Sequence, residues 1–405
     1  MIKRLTNIGP GVLVTAAFIG PGTVTACTLA GANYGFALLW ALLFATIATI
    51  VLQEMSARLG TISGKGLGAV LHQSLETSPW RWPLTVLIIL ALFGGNAAYE
   101  AGNLAGAALG IEAITSHNTM IFKASVLVLS VFAAIILFAG SYRQIEKFLI
   151  GLVLIMGLAF VLTFFAVKPA LSPMLSGLFV PKIPDGSLLT VIALIGTTVV
   201  PYNLFLHASA AKNRWQGERD LASARADTVL SIGLGGIIAI LVASTAAASI
   251  FAQGLSVTNA ADMAVQFEPL FGSFSKYLLG VGLFAAGLSS TITAPLATSY
   301  ALSEILNISD QRRVLVSRII SLSILVIGAV LSLTGIKPIQ LIILAQFANG
   351  LLLPVMAGFL IYALNQRQLL GKYTNGWAAN LAGCCVLVLT AGLGLRLIAR
   401  SLGAI

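Results

Sequence analysis

From Leu5 to Gln53 the chain reads LTNIGPGVLVTAAFIGPGTVTACTLAGANYGFALLWALLFATIATIVLQ, without one charged side chain. A helix needs roughly 20 apolar residues to cross the hydrocarbon core of a bilayer, so this run accommodates two spans. Inside lipid every backbone N–H and C=O must find a partner within the protein, and a helix supplies those partners locally. The middle of the first span is Ile19-Gly20-Pro21-Gly22-Thr23. Proline removes a backbone donor and crowds the preceding turn, and glycine on either side weakens the helix further. Non-helical backbone at membrane depth survives where it lines a cavity or is buried in protein, so the break marks a site as well as a fold.

The rest of the chain agrees with a membrane bundle. Of its 405 residues 58% are hydrophobic and 9% charged, whereas a soluble domain carries about 25% charged residues. Alternating segments of the β-barrel kind are absent, so the fold class is an all-α membrane protein. The formal net charge is +10, but the Lys and Arg residues fall in short loops between apolar runs. That is a topology signal and not a nucleic-acid face. No cleavable leader precedes the first span, so Lys3 and Arg4 are expected in the mature chain. Cys27, Cys384 and Cys385 lie in apolar runs with no metal-ligand spacing and no disulfide pattern. No cofactor motif is present.

The apolar runs resolve into eleven spans near 8–32, 36–57, 83–111, 121–140, 147–167, 187–211, 228–253, 273–303, 315–334, 339–364 and 377–398. The polar segment from Asn213 to Asp227 reads as a separate short surface helix. One side of the membrane receives the N-terminus and the loops around Arg58, Arg143, Lys212, Arg312 and Arg367, with 16 of the 23 basic residues. The positive-inside rule makes that side cytoplasmic, and an odd span count puts the C-terminus outside the inner membrane.

A second break, Val199-Val200-Pro201-Tyr202-Asn203, interrupts the sixth span. A proline kink explains either break alone. The pair, five spans apart, fits an inverted repeat, because an odd offset reverses the second block. The chain is then one transporter domain, with repeats at about 8–167 and 187–364 and an added helix at about 377–398. In that plan substrate binds near the midplane between the two broken helices.

Several stretches are similar to motifs of the Nramp family of metal-ion transporters. The sixth span, Gly196 to His207, resembles G-A-T-x-M-P-H-N-L-x-L-H. Leu52-Gln53 through Arg58-Leu59-Gly60 to Ser63-Gly64 resembles L-Q-x-x-x-x-R-L-G-x-x-[ST]-G. Gly287-Leu288-Ser289-Ser290-Thr291-Ile292-Thr293 resembles G-Q-S-S-T-I-T, and Gln346 and Pro354 fall where the tenth-span motif has them. The resemblance implies a LeuT-type fold of five plus five helices with an eleventh, and proton-coupled transport of divalent metal.

The family's ligand positions fall on Gly20, Thr23, Thr197 and Val200. Its D-P-G-N reads Gly20-Pro21-Gly22-Thr23 here, and its M-P-H-N reads Val200-Pro201-Tyr202-Asn203. Carboxylate, thioether and the first imidazole are replaced, which removes the groups manganese and iron favour. The expected substrate-binding residues are Gly20, Gly22, Thr23, Thr197, Val200, Tyr202 and Asn203, with Gln346 and Asn349 one turn apart on span ten. For coupling to protons or Na+, the residues are Glu100, an acid deep in a span, and His207, which matches the second histidine of the signature. Each also has a plain structural reading: Glu100 bonded to Asn103, His207 as a satisfied core histidine.

Two substrate classes stay open. One is the divalent cation the resemblance implies. The other is a small anion or zwitterion, attracted by free N–H groups and the positive dipole end of the half-helix after Pro21-Gly22. No H-E-x-x-H or G-x-S-x-G supports an enzyme.

Overall fold

A computed structural model describes residues 9–11, 19–76, 78–115, 118–139 and 143–401. Ten helices among the described residues are long and apolar enough to cross a membrane. They correspond to spans two to eleven of the sequence. Of the first span, the second half is described as α1 (Pro21–Tyr34); residues 12–18, in its first half, lie outside the described residues. The others are α2 (Leu39–Ser63), α3 (Arg81–Thr115), α4 (Thr119–Ala139), α5 (Arg143–Val167), α6a (Leu188–Thr198) with α6b (Pro201–Arg214), α7 (Gly217–Ser249), α8 (Ser275–Ile305), α9 (Asp310–Ser332), α10 (Pro338–Leu364) and α11 (Trp377–Ser401).

One expectation is corrected. The segment from Asn213 to Asp227 is not a separate surface helix. Gly217 takes a positive φ of 68°, and from it α7 runs unbroken to Ser249. Glu218 and Asp220 in its first turn suit the positive end of the helix dipole, and nothing before Ser249 breaks the helix.

The packing has a pairwise symmetry. α1 lies along α7 as α6b lies along α2, and α3 meets α10 as α8 meets α5. Small residues permit the close crossings. Gly31 of α1 sits on the backbone of Ala243 in α7, and Gly60 of α2 sits on the backbone of Ala208 in α6b. In lipid there is little hydrophobic force between helices, so such backbone approach supplies the van der Waals contact that binds them. Residues facing away from this core, among them Val128, Leu158 and Val388, are exposed apolar side chains suited to lipid. Cys27 is buried, while Cys384 and Cys385 lie on the exposed face of α11.

Candidate functional site

Both breaks use one device. Gly20 and Val200 are extended residues preceding a proline at the first helical position, where the missing N–H is harmless and the fixed φ suits the helix. The Gly20 carbonyl accepts the N–H groups of Thr23 at 3.1 Å and Val24 at 3.3 Å, and the Val200 carbonyl accepts that of Asn203 at 3.1 Å. The prolines therefore start half-helices and do not kink continuous ones.

The half-helices meet at a hydroxyl pair, Thr23 Oγ1 to Thr197 Oγ1 at 2.9 Å. α10 closes over this crossing. The side-chain amide of Gln346 rests on Gly22, and its backbone carbonyl rests on Gly196. A side chain at Gly196 would meet the backbone of α10 at Gln346 and Gly350, whereas one at Gly22 would meet only the Gln346 side-chain amide. Gln346 and Asn203 are fully buried, and neither amide nitrogen nor amide oxygen of either side chain has a protein hydrogen-bond partner. A buried polar atom without a partner costs about 1–3 kcal/mol, and native proteins seldom keep one unless the place has a use.

Around Gly20 the lining is hydroxylic. A side chain there would start 3.3 Å from Ser290 Oγ and 3.6 Å from the Tyr99 hydroxyl. Tyr202 packs its ring on Tyr99 with centroids 5.9 Å apart. Val200 belongs to an apolar cluster with Ile19 and Tyr99 and brings only methyl groups. The sequence reading missed Tyr99 and Ser290. Their signals were position alone: Tyr99 adjoins Glu100, and Ser290 lies in the eighth-span motif.

Three expected residues make their contacts with other helices or within their own. Glu100, one residue past Tyr99, is turned about 100° around α3. Its Oε2 accepts from Asn103 at 3.2 Å, and its side chain lies against Gly328 of α9. His207 bonds through Nδ1 to Gln53 Oε1 of α2 at 2.9 Å, while its Nε2 has no hydrogen-bond partner. Asn349 points its Oδ1 toward Gly95 of α3. Among the described residues no group of three or more His, Cys, Asp or Glu side chains converges. With Thr23, Thr197, Val200, Tyr202, Asn203 and Gln346 all buried, the crossing is closed toward both ends.

Comparison with known proteins extends this geometry. Residues 11–400 match the profile of the Nramp family, described as natural resistance-associated macrophage protein-like. The divalent metal cation transporter MntH of Ralstonia nicotianae is 30% identical over 407 residues, covering 95% of this chain and 88% of that protein. A crystal structure of the Eremococcus coleocola manganese transporter superposes with a TM-score of 0.75 at 20% identity, covering 97% of this chain and 86% of that one. The transporter MhsT in complex with L-phenylalanine superposes with a TM-score of 0.63 at 14% identity, covering 96% and 97%. The architecture is thus the LeuT-type inverted repeat with an eleventh helix, and the chain belongs to the Nramp family of membrane transporters, not to a family of enzymes.

Proposed function

We propose that the protein is a secondary active transporter of divalent metal cations, which it binds at the crossing of the broken helices. The observation that carries this is the partnerless buried amide of Gln346 on Gly22, with the Thr23–Thr197 hydroxyl pair joining the two half-helices and a second partnerless buried amide, Asn203, in the first turn after the second break. Their oxygens are hard, neutral donors. Magnesium takes oxygen ligands and keeps several of its waters, so it suits a lining of this kind. Manganese and iron gain from a carboxylate or a soft sulfur, and by the family resemblance those positions are Gly20 and Val200. The preference is therefore for a hard, partly hydrated cation over manganese.

The anion reading has less support. Of the N–H groups at the start of α1, Pro21 has none and those of Thr23 and Val24 bond to Gly20, which leaves Gly22 alone to meet an anion. The two repeats, about 8–167 and 187–364, supply the moving parts for alternating access, with the basic end facing the cytoplasm of a bacterial inner membrane. Glu100 and His207, both buried, are the groups for a coupling ion, proton or Na+.

The test is calorimetry on purified protein, with uptake into liposomes as a second readout. Asn203→Ala and Gln346→Ala should each abolish magnesium binding while the protein stays folded. Gly20→Asp should raise manganese affinity, since the new carboxylate would have the hydroxyls of Ser290 and Tyr99 as donors. Val200→Met is a poorer variant, because enlarging a side chain in that buried cluster costs about 1–3 kcal/mol. Micromolar manganese binding by the unmodified protein, equal to that of Gly20→Asp, would refute the proposed preference.

A further inference from the structure

Away from the substrate path, two cavities lie along one seam between α4 and α8, on the face turned to lipid. The first, of about 270 Å³, is at the basic end, where α9 joins the seam. Its lining includes the apolar Ile136, Leu137 and Leu296 together with the charged Arg313, Arg318 and Asp310. The second, of about 510 Å³, is walled almost wholly by apolar side chains, among them Val128, Phe132 and Phe284. Phe132 of the second cavity and Ile136 of the first are neighbours on α4, one helical turn apart, which is about 5–6 Å. The charged recess and the apolar one are thus neighbours along the same seam.

The two guanidinium groups keep most of their donors. Arg318 gives one bond, to the Phe138 carbonyl at 3.2 Å, and stands 5.7 Å from the Phe138 ring centre. Arg313 has carboxylates near it only at 3.8 Å (Asp310) and 3.9 Å (Glu304), beyond hydrogen-bond distance, and Glu304 already pairs with Lys212 at 2.8 Å. Five planar N–H donors per guanidinium suit the oxygens of a phosphate. Tyr300, about half exposed in the same lining, has the amphipathic ring found at headgroup depth.

We propose that this seam is a binding site for an anionic phospholipid, its phosphodiester headgroup held by Arg313 and Arg318 and one acyl chain seated in the apolar cavity. Basic recesses between transmembrane helices attract such headgroups, whereas a zwitterionic lipid brings its own cation to the same place and gains less. The proposal does not depend on what the transporter carries.

Native mass spectrometry of the full-length protein, with phosphatidylglycerol and phosphatidylcholine added in equal amounts, tests it. Phosphatidylglycerol should be retained in preference, by roughly tenfold or more for two basic contacts. The double variant R313Q/R318Q should bring the two lipids level, and Arg396→Gln, at the far end of α11, should leave the preference intact. Ala124→Trp, on the wall of the apolar cavity, should lower retention with both arginines in place, which covers the case of a double variant that does not fold. Soluble glycerol phosphate should not compete. Equal retention of both lipids by the parent, an unchanged preference in R313Q/R318Q, full retention by Ala124→Trp, or complete displacement by glycerol phosphate would each overturn the assignment.

Discussion

The two ends of the bundle are closed by different chemistry. At the basic end the closure is ionic. Arg58, 4% exposed, donates to the Glu54 carboxylate at 3.2 Å, to the Tyr373 carbonyl at 2.7 Å and to Asn375 Oδ1 at 2.7 Å. Glu54 also accepts from Arg225 at 2.7 Å, and the Asp227 carboxylate accepts the Gly11 N–H at 2.6 Å. These bonds join α2 to α7 and to the segment before α11, and α7 to the start of the first span. At the opposite end the ties are neutral and apolar. Trp40 donates to the Lys182 carbonyl at 2.8 Å, Gln266 donates to Thr28 of α1 at 3.1 Å, and Phe267 stacks on Phe160 with centroids 4.5 Å apart.

The difference bears on the alternating access proposed above. Opening the basic end means separating charge-assisted bonds, which are short-ranged, directional and either made or lost. Opening the other end means peeling apolar surface, which is graded in area and indifferent to salt. In this conformation both are shut. Their relative strength decides which opens first.

The largest expected effect comes from the centre of the ionic closure. Arg58→Ala leaves Glu54, Asn375 and the Tyr373 carbonyl without their shared donor in a mostly buried place. Removing one partner of a buried pair costs about 3–5 kcal/mol, so the unfolding midpoint in detergent should fall by many degrees. If Arg58→Ala unfolds like the parent, the basic end is not held by this network.

Next comes Asp227→Asn. The amide keeps the shape and an acceptor oxygen but loses the charge, and hydrogen bonds to charged groups are worth about 1.5–3 kcal/mol against about 1 for neutral ones. Deuterium labelling of the Gly11 amide should then be faster in the variant, because its N–H is held less strongly by the neutral acceptor. Unchanged labelling would show that Gly11 is held by something other than the Asp227 charge.

How much of this was legible in the sequence depends on which physical signal each part leaves. The spans were legible because lipid imposes long uncharged runs, and the breaks because proline and glycine are costly inside a helix. The join between loop and α7 was misjudged because polarity was taken for a helix boundary, while a helix leaving the membrane crosses from lipid to water without ending. At the site, Thr23, Thr197, Asn203 and Gln346 were legible through their place beside the breaks or in motifs. Tyr99 and Ser290 were not, since a hydroxyl in a span carries no mark of the face it occupies. Glu100 stood out as an acid in an apolar run, yet only the backbone shows that it faces α9. The Arg58 network joins residues more than 300 positions apart, and no local pattern announces such a pairing.

The smallest effect is expected at the neutral end. Gln266→Leu keeps side-chain volume and removes the bond to Thr28, together with the bond Gln266 makes to the Met263 carbonyl at 2.8 Å. Gln266 already holds one amide oxygen without a hydrogen-bond partner, so the substitution also removes a buried unsatisfied atom. The two contributions oppose each other, and the net change should stay within about 1 kcal/mol. No charge is involved, so raising salt from 0.1 M to 1 M, roughly, which shrinks the screening length from about 10 Å to about 3 Å, should leave the Gln266→Leu difference unchanged. The same salt should narrow the gap between Asp227→Asn and the parent, because the Asp227 carboxylate is only partly shielded from water. A Gln266→Leu effect that grows or vanishes with salt would mean that the opposite end also closes through charge, and the contrast between the two ends would fail.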